Sequence, residues 1–593
     1  MNRFSALAAV ACLALLVVAG TARAESLGCG LPDAKPVWIE FSDGSVDFRQ
    51  AVFGRPGVVV ATNGVERAAE LRSLGAQTVY WHMSLKGLVG TPTAPNPHEL
   101  VEEKARALLE KAKAATTCDS PLIALNELWG PARGTPWPES VLRYRNNVVV
   151  VLRVLSEGGG KPALLVPGPA GGSKAPFVEG EATEWWRQVA TYAHIVKQLY
   201  FNAPYISRRG PIVGSRLRRT AMREGIARFT DIGIPVDRLG IMVGFQSGPG
   251  SGGREGLQPS SEWFNIIKRE ALAAKQVAAE LGVPTVWSWG WGTFVHFAPQ
   301  GADADKAAAA CVYLWARDQS LCDGPTAAGP GFDPSLTDGQ IILPAGAHCS
   351  IGEDVIPADV VSEIESATGD RILALRAALQ RMLLTGAAPN IGDADARAAE
   401  RAAVDASFGG DQTGYLAALT ERGLSRQAAK NALADILRLQ AAGALLAIEQ
   451  PSLPIASWLA RSQKESIRGA ICVRDEVPKA GAFEWAAVIP FLVLPEPSVS
   501  VDADARVVKR GKPVTLSGTV VSVRPNELVT VYARGPNSSE QVVVGDTPVG
   551  PDGAWSLTVR PKGPGVTTYR ALSKSAASGE VAVRVKAGKT KKP

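Results

Sequence analysis

Residues 121–130 hold the side chains best suited to chemistry. The apolar stretch Leu122–Leu125 has the length of a buried strand, and it ends in Asn126 and Glu127, with Trp129 two residues further on. Hydrolysis of a glycosidic bond usually takes two carboxyl groups, one that protonates the leaving oxygen and one that attacks the sugar or activates water. We therefore predict Glu127 as a candidate general acid/base, with Asn126 as a hydrogen-bonding neighbour.

Tryptophans are the second group of candidate site residues. Trp129, Trp287 and Trp289 offer flat apolar faces. Such faces suit sugar rings, whose C–H faces are apolar and whose rims are polar. The structural alternative is a Glu127 paired with an arginine and tryptophans that only fill the core. The sequence leaves both interpretations open.

The elements around these residues alternate between short strands and amphipathic helices from residue 36 onward. Eight strands followed by helices predict a (β/α)8 barrel, whose catalytic residues gather at the C-terminal ends of the strands. A doubly wound open sheet is the alternative. The predicted strands are Val37–Phe41, Val58–Thr62, Thr78–Met83, Leu122–Asn126, Ala163–Val166, Leu199–Asn202, Leu239–Phe245 and Thr285–Trp289.

Three motifs on these strands carry a family resemblance. Asn126-Glu127 ends the fourth predicted strand, Trp81-His82 lies on the third, and Val286–Gly290 lies on the eighth. On these motifs, residues 36–297 resemble the clan of (β/α)8 glycoside hydrolases that includes xylanases and cellulases. The resemblance implies that Glu127 is the acid/base and that His82 and the strand-eight tryptophans contact the substrate.

The chain departs from this clan on strand seven, where the clan places its nucleophilic glutamate. The corresponding stretch Ile241–Ser247 has Gln246 near that position. An amide cannot form or release a glycosyl ester, so we assign Gln246 to substrate binding. A second carboxylate would have to come from Glu255, Glu40 or Asp43, or an inverting enzyme would have to activate water. The alternative hypothesis is a non-catalytic glycan-binding or cell-surface interaction protein on a degenerate hydrolase barrel.

The N-terminus and the cysteines indicate an exported protein. Residues 1–24 combine a basic start, an apolar run and small residues at the end, which predicts a signal peptide cleaved near Ala24. Six cysteines follow it, and disulfides are the favoured interpretation in an oxidising compartment. Only the pair Cys311 and Cys322 is close enough in sequence to suggest a partner assignment. We expect a secreted or cell-surface location.

Composition narrows the choice of ligand. A formal charge of +6 is small for 593 residues, so charge identifies no partner. No Cys-x-x-Cys motif occurs and the 5 histidines are scattered, so we predict no metal site and no cofactor. The expected partner is a glycan or cell-wall polysaccharide. We expect neither nucleic-acid binding nor a membrane span.

The remaining chain divides by composition into four parts: a Cys- and Gly-rich elaboration of the barrel (298–353), a helical region with a linker (354–496), an immunoglobulin-like β-sandwich (497–586) and a basic tail (587–593). Residues 408–427 resemble the chaperone part of periplasmic peptidyl-prolyl isomerases. That resemblance implies a third hypothesis, in which the helical region is a chaperone-like binding element.

Overall fold

A computed structural model describes residues 27–29, 31–41, 52–126, 128–244, 256–291 and 304–587. The chain forms two compact units, residues 1–340 and 341–593. The predicted class is confirmed: a (β/α)8 barrel is followed by a helical region and a β-sandwich. The segment predicted as one elaboration, 298–353, is divided between the two units.

The first unit is a closed barrel of eight parallel strands in sequence order. The barrel excludes the doubly wound sheet, because β8 pairs with β1. The strands are β1 Val37–Phe41, β2 Val59–Thr62, β3 Gln77–His82, β4 Leu122–Leu125, β5 Lys161–Val166, β6 His194–Tyr200, β7 Leu239–Gly244 and β8 Thr285–Trp289.

The helices of the first unit follow the strands along the chain. They are α1 Val65–Ser73, α2 Lys86–Val89, α3 His98–Thr116, α4 Glu139–Glu157, α5 Glu181–Tyr192, α6 Ala203–Ser207, α7 Gly210–Thr230, α8 Glu262–Leu281, α9 Ala304–Arg317 and α10 Gly324–Ala328. Two disulfides lie in this unit, Cys29–Cys118 and the predicted Cys311–Cys322.

Alternation along each strand separates two apolar cores. Side chains such as Ile39, Phe41 and Trp287 fill the barrel interior. Residues at the alternating positions, such as Val60 on β2 and Val286 on β8, pack outward against the helices. Both faces of each strand are therefore buried, which is why parallel strands of this chain read as nearly continuous apolar runs.

Strand six differs from its prediction. The sequence pattern predicts this strand at residues 199–202, whereas the structure ends the preceding helix at Tyr192 and forms β6 over His194–Tyr200. The prediction was wrong because Lys197 and Gln198 are polar but buried. Because these two residues are polar, the segment lacks the continuous apolar run that predicted the other barrel strands.

The second unit begins with a small three-stranded sheet, β10-β9-β11, and a set of helices. A disulfide joins Cys349 of β9 to Cys472 of β11, which are register partners. The elements are β9 Ala347–Ile351, β10 Asp354–Pro357, α11 Ala358–Thr368, α12 Arg371–Ala387, α13 Asp393–Phe408, α14 Gln412–Glu421, α15 Arg426–Glu449, α16 Ile455–Gly469, β11 Ala470–Cys472 and α17 Trp485–Val488.

Helix α15 is the one helix in the described part of the chain that is long and apolar enough to cross a membrane by length and composition. Half of its most apolar stretch is buried inside the protein. Ala429, Leu433 and Leu437 of this helix lie in the core of the second unit. Its apolar character is therefore explained by packing.

The C-terminal part is a sandwich of two sheets around one apolar core. A turn at residues 551–553 connects two of its strands. The immunoglobulin-like type stays a prediction. The strands are β12 Ser498–Val499, β13 Asp502–Ala503, β14 Val507–Lys509, β15 Val514–Val521, β16 Leu528–Arg534, β17 Val542–Pro548, β18 Ala554–Val559, β19 Gly565–Leu572 and β20 Val581–Lys586.

Candidate functional site at the barrel mouth

A pocket of about 450 Å³ opens at the C-terminal ends of strands β4, β5, β6 and β8. This volume lies within the range of small-molecule sites, roughly 300–1,000 Å³. The location is the end of the barrel at which enzymes of this fold place their chemistry. The pocket is lined by Asn126, Leu128, Trp129, Gly130, Pro131, Pro167, Gln198, Tyr200 and Trp289.

Two side-chain amides meet in this pocket. Gln198 Nε2 donates a hydrogen bond to Asn126 Oδ1 at 3.3 Å. Backbone bonds fix Asn126 in turn, because its N–H donates to the His82 carbonyl and its carbonyl accepts from the Leu85 N–H. An amide pair offers both donors and acceptors. The pair is suited to the hydroxyl groups of a sugar.

Stacked aromatic rings form another wall of the pocket. The rings of Tyr200 and Trp289 lie 5.3 Å apart between centroids at an angle of 21°. The Tyr200 ring is exposed at the mouth, while its hydroxyl points to the Met242 sulfur at 3.7 Å. Burial of that hydroxyl raises the pKa of Tyr200 well above its usual value. The phenol therefore stays neutral and serves as a platform rather than as a base.

Glycine at position 244 makes room for this stack. A Cβ atom at Gly244 would stand 2.2 Å from Cδ1 of Tyr200. Met242 and Gly240 lie on the same face of β7 as Gly244. A Cβ atom at Gly240 would stand 2.5 Å from the Thr285 hydroxyl oxygen. The small residues of β7 thus determine how the large side chains of β6 and β8 fit the barrel.

Helix α4 holds the loop that carries Trp129. The Trp129 N–H donates to the Tyr144 hydroxyl at 3.0 Å, and Arg145 Nη2 donates to the Gly130 carbonyl at 2.5 Å. The Arg145 guanidinium is buried between the rings of Trp137 and Trp185. With its loop fixed in this way, Trp129 keeps 46% of its surface exposed at the mouth. The arrangement presents an apolar ring to solvent.

The structure brings three of the predicted site residues together, namely Asn126, Trp129 and Trp289. Glu127 and Gln246 lie outside the described residues, so their roles stay predictions.

Trp287 and His82 lie away from the pocket lining. Trp287 is fully buried in the barrel interior, where its Nε1 donates to the Thr285 hydroxyl at 2.9 Å. His82 follows the inward-facing Trp81 on β3 and so points outward, and burial lowers the pKa of its imidazole. In the described geometry neither side chain reaches the pocket.

Glu40 does not supply a second carboxylate to the mouth. Its neighbours Ile39 and Phe41 face the barrel interior, so Glu40 points outward. There it is completely buried and accepts hydrogen bonds from Arg317 and from the Ser288 hydroxyl. Burial raises the pKa of Glu40, and the nearby Arg317 opposes that rise. Glu40 therefore belongs to the contact between the barrel and helix α9.

The described lining of the pocket contains aromatic rings, amides and prolines but no carboxylate. Within the described residues, no group of three or more His, Cys, Asp or Glu side chains could hold a metal ion. These residues can stack on a ring and exchange hydrogen bonds with it. The candidate carboxylates Glu127, Asp43 and Glu255 lie outside the described residues, so acid/base chemistry at this pocket stays a prediction.

Sequence reasoning missed Gln198, Tyr200, Pro167 and Gly244. Gln198 and Tyr200 lie on β6, on the same inward face as Val196. The sequence prediction missed this face because it began the strand at residue 199 instead of residue 194. The available indication was the alternation of Gln198 and Tyr200 with the apolar Leu199. Gly244 looked like an ordinary glycine in a strand because its role depends on Tyr200 of the neighbouring strand.

Comparison with known proteins adds little to this site. No family model and no curated protein sequence matches the chain. Among solved structures, it is similar to a D-psicose 3-epimerase from Clostridium cellulolyticum, with 13% identity over 48% of this chain and 99% of that chain, at a TM-score of 0.30. An FMN-binding beta-glucuronidase from Facaelibacterium prausnitzii shows 8% identity, 94% and 57% coverage and a TM-score of 0.28. A trimodular endoglucanase shows 8% identity, 92% and 74% coverage and a TM-score of 0.26. Similarities of this size decide neither substrate nor reaction.

Proposed function

We propose that the barrel mouth binds a glycan. The observation that carries the proposal is the combination, in one pocket, of exposed Trp129, the stacked pair Tyr200 and Trp289, and the amides of Asn126 and Gln198. Flat apolar rings match the C–H faces of a sugar, and the amides match its hydroxyl groups. The three disulfides fit an extracellular protein, where such polymers are found.

Calorimetric titration with cellohexaose, xylohexaose, laminarihexaose and chitohexaose tests this proposal. We expect one of these oligosaccharides to bind, and Trp129→Ala to weaken its binding by about 1–2 kcal/mol, or roughly 5–30-fold. Trp458→Ala is the control, because Trp458 is a half-buried tryptophan of the second unit. Equal affinity for wild type and Trp129→Ala would exclude the mouth as the binding site.

A second candidate function is hydrolysis of the bound glycan with Glu127 as general acid/base. It is supported by the position of Asn126, whose side chain enters the pocket from the end of β4, immediately before Glu127 in sequence. Glu127→Gln separates the two functions, since it removes the proton donor and preserves the shape of the side chain. Loss of reducing-sugar release with retained binding supports hydrolysis, whereas no release by wild type leaves a non-catalytic glycan-binding protein.

A further inference from the structure

Lys197 is a buried lysine directly behind the pocket. It lies on β6 between the inward-facing Val196 and Gln198, so its own side chain points outward from the barrel. None of its surface is accessible to solvent. A buried ammonium group is costly unless its hydrogen bonds are satisfied. Its contacts therefore show what the lysine does for the structure.

Three backbone carbonyls accept hydrogen bonds from the Lys197 Nζ. The distances are 2.5 Å to the oxygen of Gly168, 2.9 Å to that of Gln198 and 3.5 Å to that of Val166. Val166 and Gly168 flank Pro167, and both Pro167 and Gln198 line the pocket. One ammonium group thus connects the loop after β5 to the strand that carries the glutamine amide.

The loop after β5 depends on an unusual backbone conformation. Gly168 has a φ of +103°, and a Cβ there would stand 2.8 Å from the Lys174 carbonyl oxygen. A φ in this region is readily accessible only to glycine. The hydrogen bond from Lys197 to the Gly168 carbonyl holds the chain at this turn. Pro167 is placed at the pocket wall as a result.

The surroundings of Lys197 favour its neutral form. Ile241 of β7 is its register partner on one side, Val166 of β5 is its partner on the other, and Gly225 of α7 packs against its stem. Burial, and to a smaller extent the positive charge of Arg228 of α7, lowers the pKa of Lys197 to about 7. Glu224 of α7 instead lies near Gly171 of the loop. In the described part of the chain, the ammonium makes its hydrogen bonds to carbonyl groups alone.

We propose that Lys197 is a positioning residue of the glycan site, and that its protonation state controls the affinity of the barrel mouth for its ligand. This inference rests on the proposed function. A charged ammonium has three N–H groups for the three carbonyls, whereas the neutral amine has only two. Loss of the proton therefore releases at least one contact and weakens the others. The loop carrying Pro167 and the backbone of Gln198 are then less well fixed.

The experiment measures affinity against pH for the oligosaccharide of the panel that binds wild type. If only the protonated form binds tightly, affinity falls about 10-fold between about pH 6 and about pH 8. Lys197→Met should bind more weakly at the lower pH and show no such fall. Lys197→Arg keeps the charge and should bind without the fall as well. Lys275→Met is the control, since Lys275 also donates to one backbone carbonyl but lies on α8.

Hydrogen exchange of the amides in residues 163–176 provides a readout that needs no ligand. Lys197→Met should speed exchange there, and Lys275→Met should not. If wild type binds none of the four oligosaccharides but exchange is faster in Lys197→Met, the glycan proposal fails and the positioning role stands. If wild type binds and Lys197→Met retains the same pH profile and exchange rates, the Lys197 proposal is overturned and the glycan proposal stands.

Discussion

Lys197 also makes the stability of the barrel depend on pH, in a direction opposite to that of a lysine in a salt bridge. Its folded-state pKa is about 7 and its ordinary pKa is 10.5. Between these values the unfolded chain binds more protons than the folded chain, so the free energy of unfolding rises as pH rises. At low pH the full penalty of a 3.5-unit shift is about 5 kcal/mol, and it disappears above the unfolded pKa.

The perturbation is Lys197→Met, which keeps an unbranched side chain and removes the ionisable group. Wild type should gain about 2 kcal/mol of stability relative to Lys197→Met between about pH 7 and about pH 9. Urea unfolding followed by circular dichroism at several pH values gives both free energies of unfolding. Other groups titrate alike in the two proteins and cancel in the difference.

The control is again Lys275→Met, whose stability difference from wild type should not change over this range. A difference between wild type and Lys197→Met that stays constant from about pH 7 to about pH 9 would refute the reasoning. It would show that the three carbonyls hold the proton as strongly as water does.

Three further predictions concern the glycine of β7, a buried carboxyl and the disulfides. Gly244→Ala should displace the Tyr200 ring, because the new Cβ would stand 2.2 Å from it, and weaken oligosaccharide binding at least about 10-fold by calorimetry. Burial raises the pKa of Glu270 to about 8, so stability should fall as pH rises from about 4.5 to 8, and Glu270→Gln should flatten that fall in urea unfolding. Replacing both cysteines of Cys349–Cys472, which are 123 residues apart, should cost about 5 kcal/mol, against about 3 kcal/mol for Cys311–Cys322 at a separation of 11. Equal costs in thermal or urea unfolding of the two double variants would contradict the chain-entropy origin of that difference.

The fold was predictable because the barrel strands are apolar on both faces and separated by helical periodicity. β1 and β8 were predicted with their observed bounds, and most of the others were within two residues. β6 was the exception, because Lys197 and Gln198 are buried polar residues that bond to the carbonyls of Val166 and Gly168 and to the amide of Asn126. Such partners are distant in sequence, so local patterns do not reveal them.

The candidate site was only partly predictable for a related reason. Asn126 and Trp129 follow directly from an apolar strand that ends in polar and aromatic residues. Tyr200 and Gly244 are register partners on adjacent strands, and the Tyr200 ring occupies the space that a side chain at position 244 would fill. This relation between two distant residues cannot be seen in either strand alone. The sequence left open whether Glu40 could supply a second carboxylate, because a carboxylate on a strand can face either side. The alternation with Ile39 and Phe41 decides that it faces outward.

A crystal structure of the protein with the oligosaccharide that binds it tests the central claim most directly. The account predicts a sugar ring in van der Waals contact, at about 4 Å, with Trp129 or with the Tyr200 and Trp289 pair. It also predicts a sugar hydroxyl hydrogen-bonded to Asn126 or Gln198. A sugar bound elsewhere on the chain, with the mouth pocket empty, would contradict it.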